Sequence, residues 1–487
     1  MNAQDTASTL LSRVPTGLLL GGRFVPASGQ GRFDVIDPAT GAAILAVADA
    51  TAEDALRALD DASRVQESWK RTAPQERADV LRRAYELMLE QAENLALLVT
   101  LEMGKPRQES VDEVLYAAEY LRWFSEETIR IHGMTRTAPN GDSRIFTLKE
   151  PVGPCLLVTP WNFPLAMGTR KIGPALAAGC TAIVKPSTLT PLSMNMLGSI
   201  FVDAGLPAGV LSILPTSESP SVVAALMADS RLRKLSFTGS TEVGKILAAQ
   251  AAQNVLRLSL ELGGNAPLIV CKDADIDRAV AETMKAKLRN NGEACTAANV
   301  IYAHRDIADQ YSTALAERFD ELVLGPGSDT SSTVGPLIDD QAVQKVEELV
   351  QDAIDQGASI LSRLDTPSTG SYCSPSVLGD VPLHARVVQE EIFGPVAPIV
   401  IWDDQTELIA GLNNSPYGLA GYLFTRDLDT ARHFSENLQV GMLAINRGVF
   451  SNVAAPFGGL KQSGYGHEGG DEGIEEYLDT KYVALHA

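Results

Sequence analysis

The feature that most constrains this chain is an alternation of short apolar, strand-like segments with helical patterns, beginning at Cys155. Candidate strands are Cys155–Thr159, Thr181–Lys185, Val210–Leu214, Lys234–Phe237 and Val255–Leu260. Their starts recur about every 25 residues, the spacing that parallel strands joined by helical crossovers require. In open parallel sheets, ligands bind in the crevice beyond the carboxyl ends of the strands. Here those ends carry Pro160-Trp-Asn-Phe163, Lys185-Pro-Ser-Thr188, Thr238-Gly-Ser240 and Glu261-Leu-Gly-Gly264, so polar and glycine residues collect on one edge.

A second α/β region follows Gly264. A helical pattern over Ile276–Leu288 leads into Asn290–Cys295, and strands are predicted at Val300–Ala303, Val396–Ile401, Gly418–Phe424 and Val440–Asn446. Upstream, Thr51 and Asp54 form a capping box that opens a helix, and one long amphipathic helix is predicted from Glu76 to about Met103. Between Ile129 and Glu150 the pattern becomes alternating. Asn140-Gly141 suits a tight hairpin turn there, with Ile145–Pro151 as the second arm. The first dozen residues read as a loose tail, and Glu475–Ala487 as a strand-like one. The fold class is α/β.

Charge and cysteine usage exclude several functions. The 61 acidic residues outnumber the 40 basic ones, giving a formal charge of −21 across 487 residues. Such a surface repels nucleic-acid phosphates and anionic lipids. The five cysteines include no CxxC pair and the six histidines no HExxH, so neither a disulfide framework nor a metal site is expected. No segment has the length of a membrane span or the layout of a signal peptide, which predicts a cytoplasmic protein.

Two glycine strings are misleading. Gly239-Ser-Thr-Glu-Val-Gly244-Lys245 nearly matches a P-loop, but Ile246 stands where magnesium needs a hydroxyl. Anion binding at this helix start remains reasonable. Gly464-Tyr-Gly466-His-Glu-Gly469 matches the dinucleotide fingerprint, yet too little chain follows to complete a βαβ unit, so it reads as a glycine-rich loop.

The chemistry gathers around three side chains. Cys295 follows a polar, glycine-containing turn rather than an apolar run, Glu261 ends one predicted strand, and Asn162 follows another. A nucleophile, a base and a side-chain amide are the parts needed to attack a carbonyl, hold an oxyanion and hydrolyse a thioester.

Seven segments containing these residues, in this order, resemble the aldehyde dehydrogenase superfamily. They are Pro160-Trp-Asn-Phe-Pro164, Val184-Lys-Pro-Ser187, Phe237-Thr-Gly-Ser-Thr-Glu-Val-Gly244, Glu261-Leu-Gly-Gly-Asn-Ala-Pro267, Asn291-Gly-Glu-Ala-Cys295, Glu390-Glu-Ile-Phe-Gly-Pro395 and Pro456-Phe-Gly-Gly-Leu-Lys-Gln-Ser-Gly464. The resemblance implies a Rossmann-type cofactor domain over 1–128 and 150–262 and a catalytic domain over 263–455. A small β oligomerisation element would take 129–149 and 456–487, in a homodimer or homotetramer. It further implies that the Cys295 thiolate adds to an aldehyde, with Asn162 and the Cys295 N–H holding the oxyanion. Hydride then leaves to the nicotinamide, and Glu261 activates water against the thioester. Lys185 is expected on the adenosine ribose, Gly239, Ser240 and Trp161 by the pyrophosphate, Glu391 on the nicotinamide ribose and Phe393 against the cofactor.

Three departures from the family pattern stand out. Thr188 replaces the glutamate often found in strictly NAD-preferring relatives, so NADP is expected to be accepted as well as NAD. Glu293 stands where glutamine is common and is expected to raise the pKa of the nucleophile. Ala297 replaces a frequent second cysteine, which removes a disulfide switch at that point.

Met167-Gly-Thr-Arg-Lys-Ile-Gly173, Lys287-Leu-Arg-Asn290 and the tail Gly473–Tyr482 resemble the succinate-semialdehyde dehydrogenase branch. That likeness implies that Arg170 and Arg289, helped by Ser451, clamp the far carboxylate of the substrate. Arg447, Val449 and Phe450 depart from the branch's loop, so glutarate semialdehyde or another ω-carboxylated semialdehyde stays open as substrate. A CoA-acylating enzyme, an inactive cofactor-binding protein and a P-loop ATPase are the competing functions.

Overall fold

The computed structural model describes residues 3–449 and 451–486; Phe450 lies outside the described residues. Its first sheet runs in the order Arg23–Val25, Leu18–Leu20, Leu211–Ile213, Ala182–Lys185, Cys155–Val158, Lys234–Thr238, Arg257–Glu261 and Gly464–Tyr465. The five strands from Cys155 to Glu261 are parallel throughout. Numbered along the chain, those five lie in the order 3-2-1-4-5, so the direction of winding reverses between Cys155–Val158 and Lys234–Thr238. A crevice opens at such a switch point.

Both faces of this sheet are covered, so alternate residues of each strand enter opposite cores. Leu157, Val184 and Ile213 face one core, with Leu121, Phe124 and Ile172. Leu156, Ile183 and Leu235 face the other, with Leu59 and Leu226. The second sheet holds Ser359–Arg363, Ser376–Gly379, Val396–Trp402, Ala298–His304, Ala266–Val270, Ala420–Phe424 and Met442–Ile445. Only Leu262–Asn265 separates the last parallel strand of the first sheet from Ala266–Val270 of the second. The two sheets therefore meet at Glu261.

Most expected elements are present, with instructive differences. The capping box at Thr51 and Asp54 starts the helix Ala52–Arg71. The long helix from Glu76 is broken at Gln91 into Pro74–Glu90 and Ala92–Met103. The break has a physical reason: the first half buries one stripe, whereas the second is buried on nearly every side and needs its own direction. Within the expected loose tail, Ala3–Leu11 form a helix, with Leu10 buried. The expected strand start at Val255 is displaced to Arg257, because Val255 takes a left-handed φ of +51° after a tight turn.

The hairpin pairs Thr135–Thr137 with Ser143–Pro151, and Ser143–Pro151 also pairs along its whole length with the tail Leu478–His486. The tip is wider than a two-residue turn, closing through Ala138 N–H on the Ser143 carbonyl. The glycine-rich stretch at 464–469 is not a strand of this small sheet. Gly464–Tyr465 returns to pair with Leu260 and Glu261 on the edge of the first sheet.

Candidate active site

The site forms where the winding reverses. The strand Cys155–Val158 delivers Trp161 and Asn162 just before the helix Pro164–Ala178, which Pro164 starts. Lys234–Thr238 delivers Gly239 and Ser240, and Ser240 caps the helix Thr241–Ala251. Arg257–Glu261 ends on Glu261. These chain ends, with Cys295, Glu391, Phe393 and Ser451, surround a cavity of about 320 Å³.

The turn before Cys295 is built from left-handed backbone. Asn290, Asn291 and Gly292 have φ of +58°, +57° and +79°. Asparagine and glycine tolerate this region best. The side chains lock it: Asn290 Nδ2 donates to the Glu293 carbonyl at 2.8 Å and Asn291 Nδ2 to the Pro336 carbonyl at 2.9 Å. Asn162 Nδ2 donates to that same Glu293 carbonyl at 2.9 Å, joining the amide to the nucleophile's loop.

Cys295 is half-buried at the cavity wall. Burial pushes its thiol up to about 12; Arg170 and Arg289 pull it down, while Glu261 and Glu391 add to the rise. Glu293 does not take the expected part in this. Its side chain turns to the Ile338 N–H at 3.0 Å, where burial holds its own carboxyl well above the usual range.

Glu261 is buried, and neither carboxyl oxygen has a hydrogen-bond partner among the described residues. Burial, then the charge of Glu468, raise its pKa well above normal, opposed by Arg170 and Lys171. A carboxyl kept basic this way suits general-base work.

The two arginines differ in freedom. Arg170 is fully buried: its Nε lies 2.6 Å from Glu468 Oε2, its guanidinium lies over the Phe457 ring at 4.1 Å, and Nη2 is 3.0 Å from Met167 Sδ. Arg289 forms no ion pair with a carboxylate among the described residues, although its charge opposes the burial that raises the pKa of the nearby Glu109; its Nη1 donates to Ser451 Oγ at 3.4 Å and its guanidinium lies over Phe163 at 4.9 Å. Both line the cavity, and so does Tyr116, whose hydroxyl lies 2.6 Å from that of Tyr120.

Of the residues expected around a dinucleotide, Trp161, Gly239, Ser240, Glu391 and Phe393 line the same cavity. Trp161 and Phe393 meet edge to face at 5.5 Å, and Phe393 holds a strained φ of +56°. Glu391 accepts the Gly264 N–H at 3.2 Å, and a Cβ on Gly263 would sit 2.8 Å from its Oε2. The buried Lys185 ammonium has no acceptor among the described residues, and burial lowers its pKa to about 8. An uncompensated cation at the end of a central strand, on the same sheet edge as the helix N-terminus at Ser240, fits an anionic dinucleotide. Lys185 and Thr188 lie outside the cavity lining, and the Thr188 hydroxyl donates to the Thr216 carbonyl at 2.8 Å. Lys245 of the P-loop-like string donates to Gln462 Oε1 instead of reaching into a phosphate cradle.

Several residues around the site carry no sequence motif. Glu468, inside the glycine-rich string, binds both Arg170 and Lys171. The helix Arg107–Thr128 presents Glu109, Glu113, Tyr116 and Tyr120 at i, i+4, i+7 and i+11, one stripe running beside the site. Polar residues at core spacing on a buried helix were the available signal.

A doubly wound sheet with a cysteine, a buried carboxyl and an amide at its switch point defines an enzyme of the dinucleotide-binding α/β class. The profile of the aldehyde dehydrogenase family matches residues 24–483. A succinate-semialdehyde dehydrogenase of Paenarthrobacter nicotinovorans is 50% identical over 440 residues, covering 90% of this chain and 98% of that protein. A glutarate-semialdehyde dehydrogenase of Pseudomonas putida is 43% identical over 466 residues, 96% of this chain and 97% of the relative. The crystal structure of an Escherichia coli NADP-dependent enzyme superposes with a TM-score of 0.96 at 42% identity, covering 99% of each chain. The chain belongs to the aldehyde dehydrogenase family, the NAD(P)-dependent oxidoreductases that oxidise aldehydes.

Proposed function

We propose that this chain oxidises succinate semialdehyde, or a close ω-carboxylated semialdehyde such as glutarate semialdehyde, to the dicarboxylic acid. The observation that carries the substrate class is Arg289, a cation with no ion pair to a carboxylate among the described residues, bonded to Ser451 on the wall of the cavity that contains Cys295. A guanidinium offers planar paired donors to a carboxylate at a fixed distance from the nucleophile. Arg170 supports the same electrostatics from its ion pair with Glu468. The names of the relatives favour both semialdehydes.

In this reading Cys295 adds to the aldehyde carbon as its proton departs, favoured by the nearby arginine charges. Asn162 and the Cys295 N–H receive the developing oxyanion; comparable donors are each worth about 2.7–4 kcal/mol. The bound dinucleotide supplies a hydride acceptor. Glu261 then takes the proton of the water that releases the acid, which argues against a CoA-acylating enzyme. Trp161, Gly239, Ser240, Lys185, Glu391 and Phe393 would hold the dinucleotide, and the uncompensated Lys185 favours NADP as well as NAD.

The reading extends to assembly and location. The sheet formed by the hairpin and the terminal strand supports a homodimer or homotetramer. Five free cysteines fit a cytoplasmic enzyme, and among the described residues no helix is long and apolar enough to cross a membrane. A kcat/KM panel of succinate semialdehyde, glutarate semialdehyde and uncharged aldehydes of equal length, run with NADP and NAD, tests it. The semialdehydes are expected to lead; a preference for uncharged aldehydes would overturn it.

A further inference from the structure

Lys105 and Glu113 form an ion pair in which both side chains are fully buried. Lys105 lies in the connection between the helices Ala92–Met103 and Arg107–Thr128, and Glu113 on the polar stripe of the latter. Lys105 Nζ donates to Glu113 Oε2 at 2.5 Å and to the backbone carbonyl of Asn162 at 2.7 Å, and it lies 4.1 Å from the centre of the Phe163 ring. Glu113 Oε1 accepts the N–H groups of Leu165 and Ala166 at 2.9 and 3.2 Å. The pair thus grips the turn at residues 162, 163, 165 and 166, on both sides of Pro164.

That turn sets the direction of the Asn162 side chain. Its amide nitrogen carries two N–H groups, and one is spent on the Glu293 carbonyl. The second is free to serve the cavity only while the backbone of Asn162 stays where Lys105 holds it. Burying two charges is costly, and apolar residues of similar volume often stabilise a fold as well. A dry ion pair whose remaining hydrogen bonds all go to one turn is therefore better explained by placement than by stability.

We propose that Lys105, paired with Glu113, is a positioning residue that aims the Asn162 amide at the oxyanion formed during attack by Cys295. The proposal rests on the reading of Asn162 as oxyanion donor given above. Neither Lys105 nor Glu113 lines the cavity, so neither touches the substrate.

The test is a double-mutant cycle read by single-turnover formation of the reduced cofactor. The combined variant Lys105→Met/Glu113→Leu replaces the pair by apolar side chains and so leaves neither charge buried alone. Glu113→Gln, which keeps an acceptor for Leu165 and Ala166, serves if that variant does not fold. Each is measured alone and together with Asn162→Ala. Where Asn162 is intact, the apolar replacement is expected to slow the hydride step about 10²-fold, with cofactor affinity and substrate KM changed less than about twofold. In the Asn162→Ala background it should add less than about twofold, because residues acting through one group are not additive. Glu113→Gln should show a smaller loss that likewise vanishes in that background. An undiminished rate, or the same loss in both backgrounds, would overturn the positioning role. A normal hydride step in Asn162→Ala alone would instead remove the oxyanion reading beneath it.

Discussion

Arg170 and Glu468 meet at 2.6 Å with both side chains buried, so one of the two arginines at the cavity is already ion-paired within the protein. Glu468 is shared with Lys171, and these two cations hold its carboxyl below the normal range despite the burial that opposes them. Arg289 has no such ion pair among the described residues. Truncating the two should therefore give different results. Arg289→Ala is expected to raise KM for succinate semialdehyde by about 10²-fold, the scale of losing one partner of a buried charge pair, and to change KM for butanal little. Arg170→Ala leaves the buried Glu468 paired with Lys171 alone among the described residues, a loss of up to about 3–5 kcal/mol. It should lower Tm sharply and damage both substrates. Steady-state kinetics on both aldehydes, with thermal melts, distinguishes these outcomes; equal KM effects on the charged and uncharged substrate would refute a carboxylate-binding role for Arg289.

Neither carboxyl oxygen of Glu261 has a hydrogen-bond partner among the described residues, which leaves it available to accept a proton from water. Glu261→Gln keeps the shape but cannot act as base. The expected result is one equivalent of NAD(P)H formed rapidly per site, followed by turnover slowed about 10²–10⁴-fold. Intact-protein mass spectrometry should find the acyl group on Cys295. Loss of the burst itself would place Glu261 in the attack step instead.

The architecture was legible because period and spacing encode it. Five strands at regular intervals, four of them with Asn162, Lys185, Gly239 and Glu261 at or just past their carboxyl ends, locate the crevice before any side chain is placed. What pattern could not show is which charges cancel. Arg170 and Arg289 look alike in sequence, and their difference comes from Glu468, roughly three hundred residues downstream of Arg170 in a string that reads only as a glycine-rich loop. Glu293 teaches the same lesson. Two residues from the nucleophile in sequence, its side chain points to Ile338, because the left-handed backbone at Asn290, Asn291 and Gly292 sets the direction of the loop. Lys105 and Glu113 carry no motif, and only tertiary packing brings them under Asn162.

The Cys295 thiol offers a direct electrostatic test. Burial, the largest influence, pushes it up to about 12. Below that value the thiolate fraction grows about tenfold per pH unit. Alkylation of Cys295 by iodoacetamide in the cofactor-free enzyme should therefore rise with unit logarithmic slope between pH 7 and about 10. Arg289→Ala removes a charge that lowers the pKa and should slow the reaction at every pH in that range. A plateau near pH 8 would mean that the resting nucleophile is already a thiolate.

Glu293 makes the stability of the whole chain depend on pH. Its carboxyl is fully buried, Oε1 accepts the Ile338 N–H, and Oε2 has no partner among the described residues. Burial raises its folded-state pKa well above the unfolded value of about 4.3. A group shifted in this direction contributes its full stability below the unfolded pKa and loses it as pH climbs toward the folded one. Over that window the unfolded chain releases a proton that the folded chain keeps, which costs the fold about 1.4 kcal/mol per pH unit. Glu293→Gln supplies a neutral side chain of the same shape with nothing to titrate. Its Tm should match that of the parent near pH 4.5 and exceed it progressively toward pH 8.5. Thermal melts of the two proteins across this range measure the gap, and parallel Tm curves would mean that Glu293 is ionised in the folded enzyme.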